Sequence, residues 1–346
     1  MNLDETYRLK RKNQFDGNLK YGAKKFHSDT RRILETFPKE YNSIIQDTGE
    51  NRYKLKAKIW EKVSECVVCS SKKFHHYMNR FGMDYYRCEK CSHKFLSPRI
   101  KEEKIGELYK NEESMTNVYA QKLQTEVDKI KFIYGLDLID YFLNIEKNNI
   151  LDIGCGAGHF VNTASDYGWK TAIGLDINDS FSNLPYKSSG VQFINTEFKN
   201  FSLKKLNMKI DSITMWDVLE HVYNPVMMVK EINNALSSQG IFLIMVPNSE
   251  SLASRIIREK SPSFSWQHVS SFSSKSLKYL LTNNGFECLF LETVISEIDN
   301  IKSYLSGENP YGGYCDPDNL FDFITPEYIH KNLLGSRLLG IFKKIN

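Results

Sequence analysis

From Asn149 onward the chain alternates short apolar runs with amphipathic stretches. The runs NILDIG, KTAIGLDI, VQFIN, IDSITMWDV and GIFLIMVPN read as strands separated by helices. That alternation predicts an α/β fold, a doubly wound Rossmann-like parallel sheet with helices on both faces. KSLKYLLTNNGF adds a helix ending at Gly285, and ECLFLETVI adds a further strand. In the tail HKNLLGSRLLGIFKKIN, Leu334, Leu338 and Ile341 share one face at helical spacing, with Lys343 and Lys344 beyond. This predicts a C-terminal helix docked on the core, or one touching a membrane surface. Upstream, Val127, Ile130, Ile133, Tyr134 and Leu138 carry the helical period over VYAQKLQTEVDKIKFIYGLDLIDYFLNI. Residues 1–60 are polar, Lys-rich and weakly patterned, with short helices expected in TRRILETFPKEYNSII and broken by Pro38. The expected organisation is a basic extension over 1–60, a Cys-rich ribbon over 61–98 and a helical connector over 99–148. An α/β domain follows over 149–295, then an extension over 296–346. There is no internal repeat and no low-complexity tract.

The densest chemistry lies in LDIGCGAGHF, residues 151–160. An apolar strand runs into Gly154, Gly156 and Gly158, and a helix follows. Glycines let the backbone turn tightly and approach a ligand where a Cβ would collide. Asp152 ends the strand, at the edge where open α/β sheets bind ligands. Asp176 ends the next strand 24 residues later, a spacing suited to a carboxylate accepting both ribose hydroxyls of a nucleoside. A glycine turn alone is weak, because nicotinamide and flavin sites use a similar one. The form D-I-G-C-G-A-G, however, differs from the G-x-G-x-x-G that faces a pyrophosphate.

On these residues the chain resembles the class I S-adenosylmethionine (SAM)-dependent methyltransferases. MWDVLEHVYNP (215–225), GIFLIMVPN and WQHVSSFSSKSLKYLLTNNGF (266–286) are similar to segments of the ubiquinone-type small-molecule methyltransferases, in the same order. The resemblance implies that Asp152, Gly154 and Gly156 line the methionine part of SAM. It also implies that Asp176 holds the ribose beside Ile177, with Trp216 and Asp217 completing the cofactor side.

Cys66-x-x-Cys69 and Cys88-x-x-Cys91 are separated by 18 residues. Two such knuckles complete a tetrahedral Zn²⁺ site, and four protein ligands leave no position for water, so the metal is expected to be structural. His75, His76 and His93 lie nearby and read as surface histidines. A ribbon just upstream of this domain, with YYRCEKCSHKFLSPR, is similar to bacterial methyltransferases of sugar nucleotides, surface glycans and natural products. It is also similar to certain ribosomal-RNA methyltransferases. Only about 50 residues follow the expected core, whereas sugar C-methyltransferases usually carry a further domain, so transfer to oxygen is favoured.

An alcohol acceptor needs its proton removed, and a neutral histidine can take it. His221, in Asp217-x-x-Glu220-His221, and His268, in the insertion after the fifth strand, are the candidate catalytic bases; Glu220-His221 reads equally as a helix cap. Asp217 and Glu220, three apart, could instead share Mg²⁺ over a vicinal diol. Trp216 and Trp266 read as core or as stacking platforms. Arg255 reads as solvated or as a clamp for an anionic acceptor. Cys155 reads as a small filler, and Cys288 and Cys315 carry no chemistry.

Composition narrows the partners. The net charge is +4, and residues 1–65 hold 15 Lys/Arg against 10 Asp/Glu, so the basicity sits at the start. This is too little to coat a nucleic acid, and no aromatic–basic stripe accompanies it. The longest apolar run, Ile241–Val246, is far short of a membrane span, and the charged start has no apolar signal region. With cysteines in CxxC pairs, the expectation is a cytoplasmic enzyme. Its expected acceptor is a small-molecule hydroxyl, most plausibly on a nucleotide-activated or lipid-linked sugar or glycan precursor. The alternatives are an RNA methyltransferase gripping RNA with its ribbon, and an inactive SAM-binding scaffold.

Overall fold

The computed structural model describes residues 3–23, 42, 44–49, 52–56, 58–105, 126–143, 146–177, 190–196, 208–261, 263–298, 301 and 324–345. The helices expected around Pro38, and Cys315, lie outside these residues. The N-terminal part opens with helix α1 (Glu5–Ala23), followed by the short strands β1 (Ile45–Asp47) and β2 (Tyr53–Leu55), which pair. β3 (Trp60–Glu61) pairs with β7 (Arg99–Ile100). Between them β4 (Phe74–Arg80), β5 (Met83–Cys88) and β6 (Lys94–Leu96) form an antiparallel meander flanked by the four ribbon cysteines.

Helix α2 (Glu126–Phe142) leads into β8 (Asn149–Ile153), α3 (His159–Asp166), β9 (Thr171–Asp176), β10 (Val191–Asn195) and β11 (Ile210–Trp216). Then come α4 (Pro225–Ala235), β12 (Leu236–Pro247), α5 (Leu252–Ile257) and β13 (Ser270–Ser271). The chain closes with α6 (Ser274–Thr282), β14 (Phe286–Val294), α7 (Pro326–Lys331) and β15 (Arg337–Lys344). Among the described residues one seven-stranded sheet runs β10-β9-β8-β11-β12-β15-β14. Its first five strands are parallel, and β15 is antiparallel to both neighbours.

Every described strand expected from the hydrophobic pattern is present, with one addition and one correction. The tail is not a helix. Residues 337–344 form β15, wedged between β12 and β14. Leu338 and Phe342 face one side of the sheet, while Leu339 and Ile341 face the other, all fully buried. A strand buried on both faces reads as a continuous apolar run, which mimics a helical spacing over a few residues. The sheet therefore draws a strand from well beyond residue 295.

β12 makes the two-sided burial explicit. Ile241, Leu243 and Met245 pack toward α1, α2 and α3, and Phe242, Ile244 and Val246 toward α4, α6 and the ribbon. The helix over 126–142 is thus a layer of the domain, packed on α3, β12 and β15, and not only a connector. α1 lies outside it: Tyr7 and Arg11 bind Asp137 and Lys12 binds Glu292 at 2.6 Å. The ribbon is equally integrated, since β13, from the insertion after β12, pairs with β6 and extends the ribbon sheet to four strands.

Candidate active site

β8 ends in a sharp turn with Gly154, Gly156 and Gly158 at φ +74°, +50° and +72°, a region that costs L-residues energy. The amides of Gly154 and Cys155 donate to the Leu175 carbonyl at 2.8 and 3.0 Å, holding the loop against the end of β9. A Cβ on Gly154 would stand 2.5 Å from Val218 Cγ2, so the glycine also lets the segment after β11 close on the loop. Gly174 is needed for a related reason: Cys155 Sγ occupies the space its Cβ would take, at 2.6 Å. Cys155 is accordingly the filler expected.

Asp176 and the loop are coupled directly, because the Gly156 amide donates to Asp176 Oδ2 at 2.8 Å. Ile177, just beyond, is 65% exposed. Asp152 is buried and accepts from Thr214 Oγ1 at 2.6 Å. Burial pushes its carboxyl up to about 8, against the opposing pull of the Thr214 hydroxyl and Lys131. A buried acid of this kind gains most from a bound ammonium group. Trp216 stands elsewhere: its ring is buried on the α2 side, 5.4 Å from both Phe132 and Phe160 and close over Gly135.

After β11 the backbone takes a left-handed residue at Asp217, φ +55°, and enters a single 3₁₀ turn over Leu219–His221. Asp217 pairs with Arg337 of β15 at 2.8 Å. Glu220 is buried and neither of its carboxylate oxygens has a hydrogen-bond partner. Burial, reinforced by the Asp217 charge, raises it well above the usual carboxylate range. The Mg²⁺ chelate expected of Asp217 and Glu220 is therefore not what the structure assembles. Asp217 is tied to a guanidinium, while Glu220 turns to the histidines.

His221 and His268 come together from separate elements, their rings 4.9 Å apart. His221 Nδ1 lies 3.0 Å from the Gln267 carbonyl and His268 Nδ1 lies 2.9 Å from the Ser263 carbonyl. A carbonyl only accepts, so each Nδ1 carries the hydrogen and each Nε2 keeps its lone pair. Burial lowers both pKa values, that of His268 to about 3 with help from His221, so both rings are neutral at pH 7. His221 Nε2 is 4.0 Å from Glu220 Oε1. Ligand atoms of Glu220, His221 and His268 all lie within 4.8 Å of one another, close enough to share one metal ion.

The four ribbon cysteines also converge within 4.8 Å, with Sγ–Sγ distances of 3.5 Å for Cys66–Cys91 and for Cys69–Cys88. A tetrahedral Zn²⁺ with bonds near 2.3 Å separates its sulfurs by about 3.8 Å, so the set fits the ion. The two knuckles repeat one turn: Ser70 and Ser92 are left-handed, and their amides donate to the Cys66 and Cys88 carbonyls. The hydrogen bond between Cys66 and Cys91 lowers Cys91 and raises Cys66, so the two thiols share one proton. His75 and His76 are exposed, as expected, beside Glu89 and Asp84. His93 is not a surface residue. It is fully buried against Phe95 and Phe272, and apolar burial holds it neutral with a pKa of about 3.

Two residues escaped the sequence. Arg337 was hidden by the helical reading of the tail, and Thr214 by its place inside a strand whose alternation gives no sign of a polar partner. Arg255, read as solvated or as a clamp, is half exposed and bound to Glu250 at 3.2 Å. Trp266 is core, fully buried with ribbon residues.

Residues 119–290 match the family profile of a methyltransferase domain. A curated relative, the mitochondrial ubiquinone biosynthesis O-methyltransferase of Dictyostelium discoideum, is 23% identical over 124 residues, 32% of this chain and 39% of that protein. The chain thus spans about two fifths of that relative's length. Among solved structures, a methyltransferase of Haloferax volcanii in complex with its activator is 12% identical, with a TM-score of 0.46 over 67% of this chain and 98% of that one. The N-methyltransferase NodS of Bradyrhizobium japonicum, solved with S-adenosyl-L-homocysteine (SAH), is 13% identical, with a TM-score of 0.44 over 67% and 97%. The glycine loop, its two acids and the matched profile define an enzyme class: the chain carries a class I SAM-dependent methyltransferase domain. No helix among the described residues is long and apolar enough to cross a membrane.

Proposed function

We propose that this enzyme transfers the methyl group of SAM to a hydroxyl of a small molecule, a nucleotide-activated or lipid-linked sugar or glycan precursor. The observation that carries the reading is the His221–His268 pair. Two neutral imidazoles offer Nε2 lone pairs in a segment that Val218 presses against the SAM loop. SAM supplies an electrophilic methyl on a sulfonium. Asp152, Gly154 and Gly156 bind its methionine part, and Asp176, fixed by the Gly156 amide, accepts from the ribose hydroxyls with Ile177 at the adenine. Trp216 supports this side from the core and Asp217 from its ion pair with Arg337.

The acceptor oxygen attacks the methyl carbon in line as the carbon–sulfur bond breaks, leaving SAH and a methyl ether. The hydroxyl proton passes to an imidazole Nε2. His221 is the stronger candidate base, because His268 is depressed to about 3. Cys66, Cys69, Cys88 and Cys91 hold a structural Zn²⁺. The oxygen preference is supported by similarity to the Dictyostelium O-methyltransferase, and the sugar class by the resemblance of YYRCEKCSHKFLSPR. The protein acts in the cytoplasm.

One observation favours a second reading of the same residues. Each Nδ1 donates to a carbonyl, the orientation that metal-ligating histidines adopt, and the Glu220 carboxylate has no other partner. A divalent ion there would bind the acceptor oxygen in place of the Mg²⁺ expected at Asp217. Metal analysis separates the readings: one zinc per chain supports the histidine base, and a second ion lost in His268→Ala supports the metal.

The function itself is tested with methyl-labelled SAM and a fractionated cell extract. Label in the low-mass or glycan fraction is the expected result. Label in RNA would overturn it and make the ribbon an RNA grip, and SAM binding without any transfer would point to a scaffold.

A further inference from the structure

The ribbon contacts three segments on the acceptor side, one after β11 and two within the insertion that follows β12. After β11, Arg99 donates to the Tyr223 carbonyl at 3.1 Å with its guanidinium 4.3 Å over the Tyr223 ring, and Tyr223 Oη donates to the Ile100 carbonyl at 2.6 Å. This fixes the chain two residues from His221. After β12, the fully buried Lys94 donates to the Ser249 carbonyl and pairs with Glu250, both at 2.9 Å.

The third loop, residues 261–272, is held most closely. Arg80 donates to the Ser261 carbonyl and Tyr85 Oη to the Ser265 carbonyl at 2.9 Å. Phe264 meets Tyr85 edge-on at 5.1 Å, and Trp266 is buried in the ribbon core beside it. The Leu96 amide donates to the Val269 carbonyl at 3.2 Å, and Ser270 and Ser271 then pair with Phe95 and Lys94. His268 sits inside this stretch, and the loop's own Ser263 and Gln267 carbonyls orient both histidine rings.

We propose that the ribbon is the scaffold of the acceptor half of the active site, with Tyr85 as a positioning residue for His268. SAM is bound by the glycine loop and Asp176 on their own elements. The folded, metal-loaded ribbon instead assembles Glu220, His221 and His268. Loss of the ribbon metal then separates two binding functions: cofactor binding survives and the acceptor side comes apart. Orientation of two imidazoles by carbonyls of one clamped loop makes their geometry sensitive to a single anchor, because misplacement by about 1 Å is costly in transfer reactions. The inference rests on the reading of His221 and His268 as the acceptor side. It can fail separately from that reading, because it is tested by loop order and not by turnover.

The experiment uses the full chain in three forms: zinc-loaded, stripped with a chelator, and zinc-loaded Tyr85→Phe. Each is followed by hydrogen exchange over 261–272 and over 149–176, by the histidine ring carbon signals in NMR, and by SAH affinity in calorimetry. Stripping is expected to abolish protection across 261–272 and move the His221 and His268 signals, while 149–176 stays protected and SAH affinity changes less than about twofold. Tyr85→Phe is expected to retain zinc and SAH binding, shift the His268 signal and speed exchange over 263–269 about fivefold, the size of one lost hydrogen bond. Unchanged exchange and histidine signals in Tyr85→Phe would overturn the positioning role. Parallel loss of SAH binding and of protection over 149–176 in the stripped protein would overturn the scaffold, making the ribbon a support of the whole fold.

Discussion

At the scale of single residues, Gly154 and Gly156 share a left-handed backbone but differ in surroundings. A Cβ on Gly154 meets Val218 at 2.5 Å, whereas nothing lies within 4 Å of one on Gly156. Gly156→Ala should therefore cost only the backbone strain, about 1–2 kcal/mol. Gly154→Ala should cost more and weaken SAM binding, because Val218 and the segment leading to His221 must retreat. Calorimetric melting and SAM titration of both variants check the order.

Asp152 gives a pH signature. Its folded-state pKa of about 8 lies above the model-peptide value of 3.8, so the empty site holds a proton that the unfolded chain releases near pH 4. That stabilising contribution is complete at low pH and is lost as pH rises through 8. A bound SAM ammonium favours the ionised form, so affinity should rise with pH from 6 to 8, by at most about tenfold per unit, then level off. Titrations in buffers of different ionisation heat should show proton release near pH 7, and Asp152→Asn should remove the slope. Affinity that falls over this range would contradict the assignment. The strand-end places of Asp152 and Asp176 were legible because each acid closes an apolar run beside the glycine turn. Thr214 and the unpartnered state of Glu220 were not, since both depend on which side chains the folded sheet brings alongside.

At the scale of elements, the strands of the parallel half declared themselves as apolar runs bounded by turns, and α6 as the helical run KSLKYLLTNNGF; its capping box, closed by the Ser273 and Ser276 side chains, came from the structure. Ser273→Ala should cost about 1 kcal/mol. β15 was misread because Leu334, Leu338 and Ile341 fit a helical period, while the actual signal was a run buried on both faces. Arg337 came with it, and so did the ion pair that Asp217 makes. Phe342 is fully buried between β12, β14 and their covering helices, so Phe342→Ala should destabilise by about 3–5 kcal/mol in denaturant unfolding. A loss below 1 kcal/mol would mean that the strand is peripheral.

At the scale of the whole molecule, helix α1 of the N-terminal segment is engaged in packing. Its Arg11 and Lys12 meet Asp137 and Glu292, both buried. The sequence separated ribbon, connector and catalytic domain by composition. It could not show that the insertion after β12 completes the ribbon sheet, because that pairing joins residues more than 170 positions apart. The two histidines named from sequence meet where the stretch carrying His268 lies against the turn carrying His221.

The central claim is methyl transfer to a hydroxyl of a small molecule. It is tested most directly with carbon-13 methyl SAM, the zinc-loaded enzyme and a cell extract, read by NMR of the low-mass fraction. A new oxygen-bound methyl signal is expected, absent with Asp176→Ala and strongly reduced with His221→Ala. A methyl on nitrogen or carbon, or label confined to RNA, would contradict it.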